Sequence, residues 1–213
     1  MSKRNLFEYR RPVTLGPTGL LVDDLASGFE ASVLQAWTTV IGYPAQINLI
    51  TTDAYYGKRC IEILSESLST YAWITRNATM AAAGKHRLLA FVKVLNYYGT
   101  TSSDYQVLGI YNASLAKYAL AFLVTATGVT IIHHNTTVSV QSTPLSTGEW
   151  HKLEAESDYD NLKSRFWIDG VLVGEYTETS MIAPTIMYVG DLSASFGRGR
   201  FHWDTCMYGY TVE

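Results

Sequence analysis

From residue 88 onward, apolar and polar positions alternate with a period of two. That spacing sends successive side chains to opposite faces and predicts half-buried strands. Residues 88–98, 105–111, 118–125 and 129–134 read as four strands, separated by turns rich in Gly, Ser, Thr and Asn. Past Pro144, residues 150–158, 164–169, 171–177, 185–190 and 200–212 read the same way. Upstream, 59–63 and 71–75 are two shorter candidates. Turn signals recur about every 8–12 residues, the signature of an all-β sandwich or barrel. Asp169-Gly170 fits a type I′ turn, in which both central residues need positive φ. Its flanks put Phe166 and Ile168 on one face and Trp167 on the other. Only residues 26–39 look helical, and Gly28 and a β-branched end weaken that reading. The predicted fold is a two-sheet antiparallel β-sandwich, a jelly roll, which protects the edges of so many strands.

Residues 1–20 are polar, carry Pro12, Gly16, Pro17 and Gly19, and predict an extended arm. Residues 21–213 predict one domain, because nothing resembling a linker divides them.

Composition narrows the function classes. The chain is 47% hydrophobic, 16% charged and rich in aromatics, with 15 Tyr, 5 Trp and 7 Phe, which favours strands over helices. A net charge of −3 argues against holding nucleic acid through its phosphates. No apolar run approaches the roughly 20 residues of a membrane helix, so no membrane partner is expected. The basic start lacks the apolar segment of a secretory signal. That predicts cytoplasmic synthesis, with lysis or incorporation into a virion as a way out. Two cysteines are too few for a disulfide scaffold or a four-cysteine zinc site. The sequons at Asn77, Asn112 and Asn135 are expected to be accidental.

Several segments together resemble the concanavalin A-like lectin/glucanase superfamily, especially its laminin-G-like branch. Asp23-Asp24-Leu25-Ala26-Ser27-Gly28, followed by Trp37, is similar to the opening of such modules, and Tyr56-Gly57-Lys58-Arg59-Cys60-Ile61-Glu62-Ile63 to their early strand. Gly148-Glu149-Trp150-His151-Lys152-Leu153-Glu154 resembles a strand entry, residues 165–173 the hairpin, and Phe201-His202-Trp203-Asp204-Thr205-Cys206-Met207 the closing strand. The resemblance implies the sandwich fold and core positions for Trp37, Trp150 and Trp203. It also implies that the early and closing strands share a sheet.

Three site chemistries follow from the residues and the resemblance. Sugars stack their C–H faces on aromatic rings, so Tyr55, Tyr56, Trp73, Tyr97, Tyr98, Tyr105, Tyr111 and Trp167 are carbohydrate-binding candidates. Modules of this kind often hold a structural calcium between opening and closing segments, for which Asp23, Asp24 and Asp204 would be hard oxygen ligands; a turn beginning at Asp23-Asp24 and a water-facing Asp204 explain these residues as well, and no cofactor is required. Glucanases of the superfamily use paired carboxylates. Glu154, Glu156 and Asp158 share a strand face here, but out of the motif's register, and a solvated strand edge explains them as well. A lyase of this fold would need a Tyr/His pair, and the strand such lyases carry is missing.

If Ile61, Ile63, Phe201 and Trp203 point inward, Cys60 and Cys206 share a face, which leaves both a bridge and two free thiols open. The leading functional expectation is a non-catalytic lectin-like module that binds carbohydrate or docks on a protein. A structural protein of a viral or phage particle, with homo-oligomeric assembly, is the second. A hydrolase or lyase of the same fold is the third.

Overall fold

The computed structural model describes residues 38–42, 46–55, 57–66, 71–79, 82–98, 105–191 and 199–211. Side chains are described for these residues except 38–42, 71, 210 and 211. The predicted arm and most of the helix-like stretch lie outside this set. Among the described residues every regular element is a strand, and there are fourteen. No helix of the described residues is long and apolar enough to cross a membrane.

The strands form two seven-stranded sheets. The first runs β1 (Thr38–Gly42), β4 (Tyr71–Asn77), β13 (Ile186–Gly190), β6 (Tyr105–Asn112), β7 (Lys117–Thr125), β8 (Gly128–His133) and β9 (Thr136–Gln141). The second runs β12 (Val171–Thr177), β11 (Lys163–Ile168), β10 (Trp150–Asp158), β5 (Lys85–Tyr97), β14 (Gly199–Thr211), β3 (Cys60–Ser65) and β2 (Gln46–Ile50). All neighbouring strands within the two sheets pair antiparallel. The early strand β3 pairs with the closing strand β14, as the resemblance implies.

Alternation supplies the core. Ile61 and Ile63, Leu88 to Val94 at every second residue, Phe122, Phe166, Phe201 and Trp203 meet between the sheets. Phe122 and Phe166 cross from sheet to sheet with an edge-on contact at 5.4 Å between centroids. The buried Trp203 indole donates to Gln106 Oε1 at 3.1 Å, so its N–H is satisfied within the apolar layer. Ser65 Oγ donates to Asp191 Oδ2 at 3.1 Å, a second polar tie. Gly190, at φ 117°, has no room for a side chain: a Cβ there would lie 2.5 Å from the Ala72 carbonyl oxygen.

The Asp169-Gly170 turn has φ values of 51° and 81°, the two positive values a type I′ turn needs. Asp169 also fixes the turn to β10. Its Oδ1 accepts the Lys152 N–H at 2.8 Å, and its Oδ2 pairs with His151 Nδ1 at 2.7 Å.

One expectation about the closing strand fails. Cys206 lies in the inter-sheet core, with Phe201, Trp203 and Tyr208. Cys60 precedes the inward Ile61 and sits on the other face, its thiol against the Asp53 carbonyl. A bulge between Asp204 and Met207, with Thr205 at φ 49°, inserts a residue and reverses the alternation. The two thiols are therefore on opposite faces of the sheet, and both are free. Burial and the carboxylates of Asp204, Asp53 and Glu62 push the Cys60 thiol up to about 12, so it is a poor nucleophile.

Candidate functional site

The outer face of the second sheet collects aromatic and charged side chains from strands far apart in sequence. On β5 the inward residues are Leu88, Ala90, Val92 and Val94, so Leu89, Phe91 and Lys93 point out. By the same parity His202 and Asp204 of β14, Glu62 of β3 and Trp150, Lys152, Glu154 and Glu156 of β10 share that face.

The connection from β2 to β3 folds back over this face. Tyr55 stacks on Phe91, with centroids 3.8 Å apart and planes at 15°. Trp150 meets Tyr55 edge-on at 5.8 Å and tilts over His202 at 6.5 Å. Asp53 anchors the connection: its Oδ1 accepts from Lys93 Nζ at 2.8 Å, and its Oδ2 lies 2.9 Å from His202 Nδ1. His202 Nε2 lies 3.1 Å from Glu62 Oε2, which also accepts from Arg200 Nε. Asn48 Nδ2 donates to Glu62 Oε1 at 3.2 Å. Burial pushes the Glu62 carboxyl up, but hydrogen bonds from Arg200, His202 and Asn48 outweigh it and hold it below the usual carboxylate range. Glu62 and His202 are both buried. The result is a fixed lattice of donors and acceptors beside three aromatic rings.

Further along the same face is a charged ladder. Glu156 accepts from Arg87 Nε at 2.9 Å on Oε2 and from Arg165 Nη1 at 3.0 Å on Oε1. Arg165 continues to Glu175 at 2.8 Å. Glu154 pairs with Lys152 at 2.7 Å. Asp158 turns to cap the β10–β11 turn through Asn161. A glycosidase acid must carry a proton to its substrate, whereas Glu156 uses both oxygens as acceptors between two guanidinium groups.

The other histidines serve the fold. His134 accepts the Ile182 N–H on Nδ1 at 2.7 Å, which leaves its Nε2–H to donate to Ser157 Oγ at 3.3 Å. In that tautomer it cannot take a proton from Ser157. His133 pairs with Glu178 at 2.8 Å and stacks on Tyr176. His86 pairs with Tyr208 in the interior.

The aromatic candidates from the sequence divide among several places. Tyr55 and Trp167 lie on the face just described, Trp167 opposite Glu154. Tyr98 follows the end of β5. Trp73, Tyr105 and Tyr111 lie on the outer face of the first sheet instead. Tyr97 turns toward the core, packing edge-on to Phe201 and donating to the Leu145 carbonyl at 3.2 Å. Tyr56 lies outside the described residues, as do Asp23, Asp24 and Trp37. Asp204 is fully buried, with Thr205 Oγ1 donating to it at 3.1 Å. Among the described residues no three His, Cys, Asp or Glu side chains form a group able to hold a metal ion. Trp203 is a core residue as expected, but Trp150 is not: the parity of β10 turns it outward. Sequence reasoning also missed Asp53, Glu62, Phe91, Lys93, Arg200 and His202. The alternation of His202 with Trp203 was the one available signal.

No family model matches the chain, and no curated protein matches it in sequence. Solved structures do resemble it in shape. A carbohydrate esterase of the Shiga toxin-encoding bacteriophage phi24B is similar with a TM-score of 0.61 at 15% identity, over 88% of this chain and 96% of that one. The carbohydrate recognition domain of Emp46p gives 0.57 at 11% identity, over 89% and 95%. The carbohydrate-binding module CBM66 of Bacillus subtilis gives 0.51 at 10%, over 83% and 96%. At these identities the likeness establishes the fold alone: the chain is a two-sheet antiparallel β-sandwich.

Proposed function

We propose that the protein is a non-catalytic carbohydrate-binding module, and that glycan lies on the outer face of the second sheet. The observation that carries this reading is the Tyr55–Phe91–Trp150 aromatic group beside the Asp53–Lys93–His202–Glu62 network. Stacking on rings supplies affinity for sugar C–H faces, and prearranged polar groups supply selectivity for hydroxyls. Positive and negative side chains alternate along the face, which suits an uncharged or weakly charged glycan. The neighbours named as carbohydrate recognition and carbohydrate-binding domains support the same class.

A glycan array followed by calorimetry on the best ligand tests this. Trp150→Ala is expected to weaken binding at least tenfold, about 1.4 kcal/mol, with an unchanged strand spectrum. Full binding by Trp150→Ala, or no bound glycan on the array, would count against the proposal.

A further inference from the structure

The loop between β9 and β10 brings a serine onto a histidine that a carboxylate already orients. Ser146 Oγ lies 2.9 Å from His151 Nε2, and His151 Nδ1 lies 2.7 Å from Asp169 Oδ2. The three groups come from three places: the loop, the start of β10 and the Asp169-Gly170 turn. Their backbone is anchored on both sides. Before Ser146, Leu145 is buried and its carbonyl accepts the Tyr97 hydroxyl at 3.2 Å. After it, Thr147 bridges to Val94, and the Gly148 N–H donates to the Val94 carbonyl at 2.8 Å. Asp169 Oδ1 is held by the Lys152 N–H, which leaves Oδ2 for the histidine. The His151 side chain is 11% exposed, whereas Ser146 is exposed, so the ring is sheltered and the hydroxyl is open to solvent. Two further contacts share these atoms. Ser146 Oγ donates to Glu149 Oε2 at 2.7 Å, and His151 Nε2 lies 3.2 Å from the Ser146 carbonyl oxygen.

We propose that Ser146 is a nucleophilic serine, a covalent modification site that takes an acyl group from small activated esters. When Nδ1 carries the proton and donates it to Asp169, Nε2 is bare and receives the Ser146 proton. Oγ then attacks the ester carbonyl carbon. The Oγ–acyl bond forms, the bond to the leaving alcohol's oxygen breaks, and His151 passes the proton on to that oxygen. The products are acyl-Ser146 and the free alcohol, with His151 neutral again. Glu149 competes for the same hydroxyl proton. When His151 is charged, its Nε2–H points at Ser146, the hydroxyl donates to Glu149, and the serine is unreactive. The hydrogen bond to Asp169 raises His151, against burial, and the Glu149 carboxylate adds to the rise. Reactivity should therefore climb as pH rises through a folded value above about 6.5. The Gly148 N–H, two residues on, is committed to Val94 and is not available to a developing oxyanion. One such donor is worth about 10²–10³ in rate. The geometry thus supports a single acylation by an ester with a good leaving group rather than turnover. The site does not rest on the glycan reading, and a stoichiometric modification leaves a binding module non-catalytic.

Treating the full chain with p-nitrophenyl acetate, quenching in acid and reading the peptides by mass spectrometry tests it. The expected result is acetyl on Ser146, with a burst of about one equivalent of p-nitrophenolate per chain that quickens with pH. Ser146→Ala should remove both. Asp169→Asn keeps the turn, because Asn-Gly suits type I′ equally, and its Oδ1 still accepts the Lys152 N–H. Its amide NH₂ then faces His151 Nδ1 and moves the ring proton to Nε2, where it blocks proton transfer from Ser146. That variant should label Ser146 at least about tenfold more slowly, with circular dichroism unchanged. A fluorophosphonate, whose serine adduct does not hydrolyse, repeats the measurement independently of how long the acetyl group persists. A Ser146 left unmodified by both probes overturns the proposal. So does acetyl confined to lysines, or an Asp169→Asn chain that labels Ser146 at the wild-type rate.

Discussion

Glu62→Ala should lower the stability of the fold by about 3 kcal/mol, measured by urea unfolding followed by circular dichroism. The Glu62 side chain is only 4% exposed, yet it receives Asn48, Arg200 and His202. Removing the carboxylate strips the buried His202 of one of its two carboxylate neighbours. Arg200, whose side chain is 46% exposed, can turn back to water, which keeps the loss at the low end of the 3–5 kcal/mol range for broken buried pairs. Glu62→Gln keeps the volume and one acceptor, so it should lose distinctly less. The same change should free the β2–β3 connection, because His202 also holds Asp53. A loss below about 1 kcal/mol for Glu62→Ala would mean that the network is a surface arrangement of little energetic weight.

Acid should destabilise the protein between about pH 6.5 and pH 4, and His134 should account for much of it. Burial holds His134 at about 4, against an unfolded value near 6.5, while the Glu178 carboxylate opposes that shift and His133 and His86 add to it. In this window the unfolded chain binds a proton that the folded chain refuses, so stability falls as pH falls. The depression corresponds to at most about 3 kcal/mol. Structure explains the refusal, because Nδ1 must stay bare to accept the Ile182 N–H. His151 works in the opposite sense. Its hydrogen bond to Asp169 raises it, so its contribution is fully present below about pH 6.5 and is lost as pH rises through the folded value. His134→Asn should flatten the acid limb of a stability–pH curve relative to wild type. An acid limb of the same slope in that variant would assign the effect elsewhere.

Much of the fold could be read from local pattern. β10 and β12 have the bounds that alternation predicts, and Asp169-Gly170 forms its turn because the two residues alone meet the φ requirement. β9 was missed because Thr136–Gln141 is polar and its turn, His134-Asn135, carries positive φ without a glycine. β2 was missed although Gln46 and Asn48 alternate with Ile47 and Leu49 as a half-buried strand should, because the run is only five residues long. The helix-like reading of residues 26–39 ran into β1, which starts at Thr38.

The site was far less legible. It depends on which strands become neighbours, and a single sequence does not encode that in any short window. Asp53 reaches His202 across 149 positions and Lys93 across 40. The inward and outward sets of β14 were assigned correctly as far as Asp204 and wrongly beyond it, because one residue at Thr205 shifts the register. Trp150 was misplaced by family resemblance where simple alternation, with Leu153 inward, would have turned it out.

The most direct test is to map a bound glycan on the protein by amide and indole chemical-shift perturbation, using the best ligand from the array. Shifts are expected to concentrate at Tyr55, Phe91, Trp150, Lys152 and His202, with the Trp150 indole among the largest. Shifts centred on Tyr111, Tyr118 and Tyr188, or spread without focus over both sheets, would contradict the proposed site.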